Sequence, residues 1–383
     1  MTDFSFKIDP EFTIGLNILN RAGTICKTYG TRALIATEQE FADKHAVERL
    51  ITILLDAGVE AILFDAITPY ATADTANAMA ELAHGSRASM IIGFGGLKTQ
   101  AIARLTAIIA RSGLEIFELL DGKDPESAHA LGHKEDFLPY IAILGEADPF
   151  VFARHFIAID PRDRSVKLIK SPKGLCAALL LDGECMRNAA DKPVSTFDAL
   201  SIALEAYCSR SANFFSDTLI ERALDHYSRL IVTSGHEKSV EDFLSAILFT
   251  SLGVALSSPG IGTSLAYAIH GRFTVEKTQC ATILLPRILE KLISVRPEKM
   301  AKVATLLGAA TDGLSVAEAA NAALTAIRAR LAKYGLPSHL QKLDLVLDRL
   351  IPIAEAARDL EFIAYSPWTV TSEEAFELVK QAF

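Results

Sequence analysis

The sequence predicts two domains, an α/β domain built on a parallel, doubly wound sheet and an all-α domain after it. The chain has 383 residues, more than one hydrophobic core usually organises. In its first half, short apolar runs alternate with helix-length segments, which is typical of βαβ units. After Asp191 strand patterns nearly vanish and apolar residues recur at three- and four-residue spacing. We therefore expect domains at residues 1–190 and 191–383.

Three strand-and-helix repeats open the α/β domain. The predicted strands read RALIAT, VEAILFDA and SMIIGFGG, and the helices after them read EFADKHAVERLITILLDAG, TADTANAMAELAHG and TQAIARLTAIIARSG. Two further apolar runs, YIAILG and CAALLLD, enclose the segment FARHFIAIDPRDRSVKLIK. Its polar centre, Asp160-Pro161-Arg162-Asp163, favours a turn, so we expect a hairpin here.

The all-α domain is predicted from segments with helical spacing of apolar residues. Pro193 is a favourable start for the first long helix, with Ser195 or Thr196 as its expected cap. Residues 243–269 carry no charged residue and are long enough to cross a bilayer, but Ser257-Ser258-Pro259-Gly260 interrupts them. We expect two buried helices joined by a turn, and no membrane. The segments read STFDALSIALEAYCSRS, FFSDTLIERALDHYSRLIV, VEDFLSAILFTSLGVAL and HLQKLDLVLDRLIPIAEAARDL.

Charge and cysteine content argue against several functional classes. The net charge of −9 and the pI near 5.6 disfavour binding to nucleic acid or to an anionic membrane, because both require a basic surface. Five scattered cysteines without C-x-x-C spacing indicate neither a disulfide framework nor a thiolate zinc site. The first residues, MTDFSFKIDPEF, lack the apolar run of a signal peptide. We expect a cytoplasmic protein that binds a small molecule or a protein partner.

Motifs spread over nearly the whole chain carry a resemblance to one enzyme family. They are Thr37-Glu38, Gly95-Gly96, Asp182-Gly183-Glu184, Ile283-Leu284-Leu285-Pro286 and the segment FDALSIALEAYCSRSANFFSDTLIERAL around Asp198. In order and approximate spacing they resemble the iron-containing alcohol dehydrogenase family, whose relatives include glycerol dehydrogenase and dehydroquinate synthase. The resemblance implies a dehydroquinate synthase-like fold, with a Rossmann-like nucleotide-binding domain before the helical one. It also implies a homodimer with a small-molecule ligand in the interdomain cleft.

The positions that hold a divalent metal in that family are mostly changed here. The family uses one Asp and three His, beginning with D-x-x-x-H on the first long helix. The resemblance matches Asp198 to the Asp, whereas Ile202, Ser264 and Lys277 take the positions of the three His, and Ala268 that of a non-ligating His. One carboxylate beside an alkyl side chain and an ammonium offers too few donors for tight metal binding. We therefore expect no bound metal.

Three residues are candidates for chemistry at the former metal site. Lys277 could place its ammonium where the metal charge would be, paired with Asp198, or the two could form a purely structural ion pair. An enclosed lysine can also act as a nucleophile or base towards carbonyl compounds. A one-residue shift of the alignment would bring His270 nearer the site; otherwise His270 is a histidine with structural bonds at a helix end.

The nucleotide-binding motifs are also altered. The family pattern G-G-G-S-x-x-D-x-x-K appears here as Gly95-Gly96-Leu97-Lys98, followed by Ala101 in place of the Asp. Glycines at a strand-to-helix turn let backbone N–H groups approach a pyrophosphate. Leu97 adds bulk where the family has a third Gly, while Lys98 supplies a cation. Binding of NAD or NADP is therefore expected to be weak.

Two further features concern the same cofactor. The family's hydroxyl-rich second loop aligns with residues 144–151, where Glu146 and Asp148 bring negative charge towards an anionic nucleotide unless they point away. Glu38 matches the acid that contacts the adenosine ribose in NAD-preferring members. Taken alone, Glu38 is as readily a surface acid that follows a strand.

Two functions follow from these features. The first is a nicotinamide-dependent oxidoreductase that acts on a small alcohol or aldehyde, metal-free and of weak or changed activity. The second is a non-catalytic descendant that serves as a binding or interaction module, a partner of an active paralogue for example. A dehydroquinate synthase-like cyclase is the weaker third interpretation, because its basic substrate clamps are not found in the sequence.

Overall fold

The computed structural model describes residues 7–39, 44–68, 70–125, 137–171, 174–232, 239–273, 275–343, 345–346 and 350–383. The chain divides into two compact units, Met1–Ala189 and Ala190–Phe383. The first is an α/β unit and the second is helical, so the predicted fold class is confirmed.

Within the described residues, the first unit contains a parallel sheet of six strands in the order β1-β8-β5-β4-β2-β3. A separate antiparallel hairpin, β6 and β7, confirms the turn predicted at Asp160. Strands β4, β5 and β8 are buried along their whole length, as expected for a parallel sheet covered on both faces. The strands are β1 Glu11–Gly15, β2 Arg32–Glu38, β3 Glu60–Ile67, β4 Met90–Gly95, β5 Tyr140–Leu144, β6 His155–Ile159, β7 Val166–Lys170 and β8 Ala178–Asp182.

The helices of the first unit follow the predicted alternation. They are α1 Ala22–Lys27, α2 Lys44–Asp56, α3 Thr75–Gly85, α4 Leu97–Ser112 and α5 Ile116–Leu120, and α6 Gly183–Ala190 lies at the junction of the units. Residues 40–43, the predicted start of α2, lie outside the described residues. Strand β1 was not predicted, because its segment EFTIG has only five residues and ends in glycine, and its pairing partner β8 lies far along the chain.

The described residues of the second unit contain helices and no strand. Two of the helices, α7 and α10, are buried on nearly all sides. Such helices show little amphipathic pattern, since every face packs against protein. The helices are α7 Pro193–Cys208, α8 Phe214–Val232, α9 Val240–Leu256, α10 Ile261–Arg272, α11 Lys277–Val295, α12 Pro297–Leu306, α13 Val316–Lys333, α14 Leu350–Arg358 and α15 Ser372–Gln381.

Two details of the second unit correct the sequence predictions. The N-cap of α7 is Lys192 and not Ser195 or Thr196, because Pro193 at the first helical position needs no hydrogen-bond acceptor for its nitrogen. The segment that begins at His339 is not one helix. It contains a 3-10 turn at Leu340–Leu343, and α14 begins only at Leu350.

The uncharged stretch around residue 257 forms two helices, as predicted. Helix α9 ends at Leu256 and α10 begins at Ile261. Among the described residues no single helix has the length and apolarity of a membrane span, and only α9 and α10 together meet that test, with a bend of 104° between them.

Candidate functional site

The turn between β4 and α4 is held rigidly by one glutamine. Nε2 of Gln100 lies 3.2, 3.1 and 3.0 Å from the carbonyl oxygens of Gly93, Gly95 and Ile143, so its two N–H groups are shared among three acceptors. These bonds join the carboxyl ends of β4 and β5 to the first turn of α4. Gly145 adds a backbone bond of 3.1 Å to the carbonyl oxygen of Gly95. The turn is therefore preorganised, with the N-terminus of α4 directly behind it.

The two acids of the second loop point in different directions. A Cβ built on Gly96 would lie 2.6 Å from Oε2 of Glu146, so that carboxylate lies against the turn. Asp148 is buried, and its Oδ1 accepts a 2.8 Å hydrogen bond from the backbone nitrogen of Phe150. The Glu146 side chain thus occupies the space beside Gly96, whereas the Asp148 carboxylate forms a hydrogen bond within its own loop.

The other predicted cofactor residues lie at the same edge of the sheet. Glu38 ends β2, and its Oε1 accepts a 2.9 Å hydrogen bond from Oγ1 of Thr99. Leu97 and Lys98 are the first two residues of α4, and both are half-buried. The structure therefore brings the predicted residues together around one turn, as the carboxyl ends of parallel strands require.

In the second unit, Asp198 and Lys277 form a buried ion pair. Nζ of Lys277 donates to Oδ1 of Asp198 at 2.5 Å, and the two side chains are 7% and 5% exposed. Asp198 lies in α7, and Lys277 is the first residue of α11. The pairing expected for these two residues is present, while their chemical role stays a prediction.

Aromatic and sulfur groups surround this pair. Nζ of Lys277 lies 5.0 Å from the centre of the Tyr267 ring, within the range of a cation–π contact. Burial raises the pKa of the Cys280 thiol to about 12, while the charge of Lys277 lowers it and that of Asp198 raises it. Cys280 is therefore a neutral, inert neighbour of the pair at physiological pH.

The other candidate residues, Ile202, Ser264 and His270, lie in different environments. Ile202 and Ser264 are fully buried, and Oγ of Ser264 has no hydrogen-bond partner within the described residues. His270 lies near the end of α10, where its Nδ1 is 2.8 Å from the carbonyl oxygen of Val275. Across the described part of the chain, no group of three or more His, Cys, Asp or Glu side chains is arranged to hold a metal ion.

Glu205, the buried acid two turns after Asp198 in α7, was not predicted as a site residue from the sequence. Its Oε1 accepts from the backbone nitrogen of Gly262 at 2.6 Å, and its Oε2 accepts from the nitrogen and hydroxyl of Thr263 at 2.8 and 2.6 Å. Burial raises the pKa of its carboxyl, and the hydrogen bonds from Thr263 and Gly262 oppose that rise. The signal in the sequence was an acid inside the apolar stretch SIALEAYC.

Family models match both halves of the chain. Residues 10–182 match the model for iron-containing alcohol dehydrogenase, and residues 194–383 match that for the C-terminal part of the Fe-containing alcohol dehydrogenase family. The chain is 24% identical to 1,3-propanediol dehydrogenase of Citrobacter freundii and 22% identical to NAD-dependent methanol dehydrogenase of Bacillus methanolicus. Each alignment covers 99% of this chain and 99% of the relative.

A solved structure gives the same picture of the fold. The crystal structure of a 1,3-propanediol oxidoreductase superimposes with a TM-score of 0.90 at 22% identity, and the match covers 100% of both chains. At this identity the likeness establishes the fold, whereas chemistry depends on the residues at the site.

Proposed function

Because the chain belongs to the iron-containing alcohol dehydrogenase family, we propose that it is an oxidoreductase of small alcohols or aldehydes in which the Lys277 ammonium replaces the metal. The observation that carries this proposal is the 2.5 Å contact between Nζ of Lys277 and Oδ1 of Asp198. The ammonium occupies the position beside the carboxylate oxygen of Asp198 in which a bound metal ion would lie. A divalent metal does not fit a site whose other aligned side chains are those of Ile202 and Ser264.

The pair offers a chemical role for each partner. When an aldehyde is reduced, negative charge develops on its oxygen, and an ammonium beside that oxygen stabilises the charge and can donate a proton to it. Asp198 orients Lys277 through the 2.5 Å contact between its Oδ1 and Nζ. A nicotinamide nucleotide, when bound, supplies or accepts the hydride; the Bacillus methanolicus relative is NAD-dependent by name.

The expected activity is low. A catalytic metal contributes several kcal/mol of charge stabilisation to the transition state. Each ~1.4 kcal/mol that the ammonium fails to supply lowers the rate about tenfold. We therefore expect slow turnover of a small aldehyde or alcohol.

The test is reduction of a panel of short aldehydes with NADH or NADPH by the wild type, Lys277→Met and Lys277→Arg. We expect Lys277→Met to lower kcat/KM at least about tenfold and Lys277→Arg to keep part of the activity, because it keeps the charge. Lys302→Met is the matched control, since Lys302 forms a surface pair with Glu221. Elemental analysis of the same samples should find no stoichiometric iron or zinc. Unchanged activity in Lys277→Met, or activity that follows metal content, would contradict the proposal.

A non-catalytic binding module is the second candidate, and the position of Glu146 favours it. A carboxylate against Gly96 disfavours the pyrophosphate on which the family reaction depends. If the wild type shows no turnover with any aldehyde at high nucleotide concentration, this second function replaces the first.

A further inference from the structure

The turn at Gly96 has the local structure of a phosphate-binding site. Gly96 is the N-cap of α4, a helix of 16 residues whose N-terminus carries partial positive charge. A glycine at this position normally allows a pyrophosphate to approach the backbone closely. In this chain a carboxylate oxygen of the protein itself lies close to the glycine. A Cβ on Gly96 would lie 2.6 Å from Oε2 of Glu146 and 3.3 Å from its Cβ and Cδ atoms.

Glu146 is held at the turn by its chain neighbours. Gly145, the residue before it, donates a 3.1 Å backbone hydrogen bond to the carbonyl oxygen of Gly95. Nε2 of Gln100 donates a 3.1 Å hydrogen bond to the same oxygen and so helps to fix Gly95. The backbone of Glu146 therefore cannot leave the turn unless these bonds break, although its exposed side chain can rotate.

We propose that Glu146 is a built-in competitor for the phosphate groups of a nucleotide. Its carboxylate takes the anion position at the N-terminus of α4, so a dinucleotide binds only after displacing it and then still faces its charge. The inference rests on the proposed function for the identity of the ligand. It makes Glu146 the residue that sets nucleotide affinity in this chain, independently of the pair at Lys277.

Replacement of the carboxylate by a neutral group should reveal the competition. The full-length wild type, Glu146→Gln and Glu146→Ala are titrated with NADH and NADPH by calorimetry at low and high salt. We expect both variants to bind about tenfold more tightly than the wild type at low salt. The gain should shrink at high salt, because the charges are near solvent. Glu81→Gln removes the charge of an exposed acid on α3 and should leave affinity unchanged.

The remaining outcomes separate this inference from the proposed function. Equal, measurable affinity in the wild type and both Glu146 variants overturns the competition and leaves the oxidoreductase proposal standing. A gain in Glu146→Ala without one in Glu146→Gln also overturns it, because the effect would then be steric. If the wild type and both variants fail to bind either nucleotide, the inference and the nucleotide-dependent function fail together.

Discussion

Lys277 occupies an unfavourable place for a cation. It is the first residue of α11, where the helix dipole presents partial positive charge, and it is almost fully buried. Asp198 supplies the opposing charge at 2.5 Å, and the Tyr267 ring adds a weaker attraction. Each partner is tolerated in the interior because the other is present. The pair is therefore best tested by removing one partner and then both.

Lys277→Met should destabilise the protein by about 3–5 kcal/mol, because it strands a buried carboxylate. Asp198→Asn combined with Lys277→Met removes both charges and should recover part of that loss. Urea denaturation of the two single variants and the double variant measures the coupling. Losses that simply add would show that the two charges do not stabilise each other.

At the scale of elements, the start of α10 depends on a side chain from α7. The Glu205 carboxylate accepts hydrogen bonds from the first-turn nitrogens of Gly262 and Thr263, which have no partner within their own helix. Gly262 has no side chain where the carboxylate approaches, and a Cβ there would meet Oε1 of Glu205 at 2.9 Å and Cγ1 of Ile288 at 2.7 Å. The position of the Glu205 carboxylate therefore depends on glycine at residue 262.

Glu205→Gln should lower the free energy of unfolding by about 2–4 kcal/mol. The new amide NH₂ group would face backbone or hydroxyl donors and leave buried donors without an acceptor. Glu377→Gln is the matched control, since it weakens only a half-exposed pair with Lys380 and should cost under about 1 kcal/mol. Equal effects of the two substitutions in urea denaturation would refute the role given to Glu205.

Elements with a local signal could be predicted from the sequence, whereas features that depend on contacts between distant residues could not. The strands after α1 and the break at residues 257–260 follow from apolar periodicity and turn residues, which are local signals. Strand β1 was missed because its pairing with β8 depends on residues far along the chain. The direction of Glu146 and the partners of Glu205 were missed for the same reason, since Glu146 lies against Gly96 and Glu205 bonds to residues 262 and 263, all distant along the chain.

At the scale of the whole molecule, every cysteine is interior. All five cysteines are buried, and none of them forms a disulfide. Burial raises the pKa of Cys26, Cys176, Cys208 and Cys280 to about 12 in each case. Reactive thiolates are therefore scarce near neutral pH in both units, and labelling requires local or global unfolding.

Ellman's reagent should consequently modify the native protein about a thousandfold more slowly than a free thiol at about pH 8. In concentrated guanidinium chloride all five cysteines should react rapidly. Stopped-flow absorbance with glutathione as the reference thiol measures both rates. A fast phase in the native protein would identify a cysteine that the reagent reaches without unfolding and would contradict this expectation.

The pairing of β1 with β8 has a consequence for synthesis on the ribosome. Strand β1 ends at Gly15 and its partner begins at Ala178, so about 160 residues must be translated before the sheet can close at this edge. At roughly 5–20 residues per second this takes about 8–30 s. During that interval the nascent chain carries Phe12 and Ile14 on a strand without its partner, a state that favours association between chains. Slow codons placed between residues 15 and 178 should therefore lower the soluble yield, whereas slow codons placed within helix α15, near the end of the chain, should not.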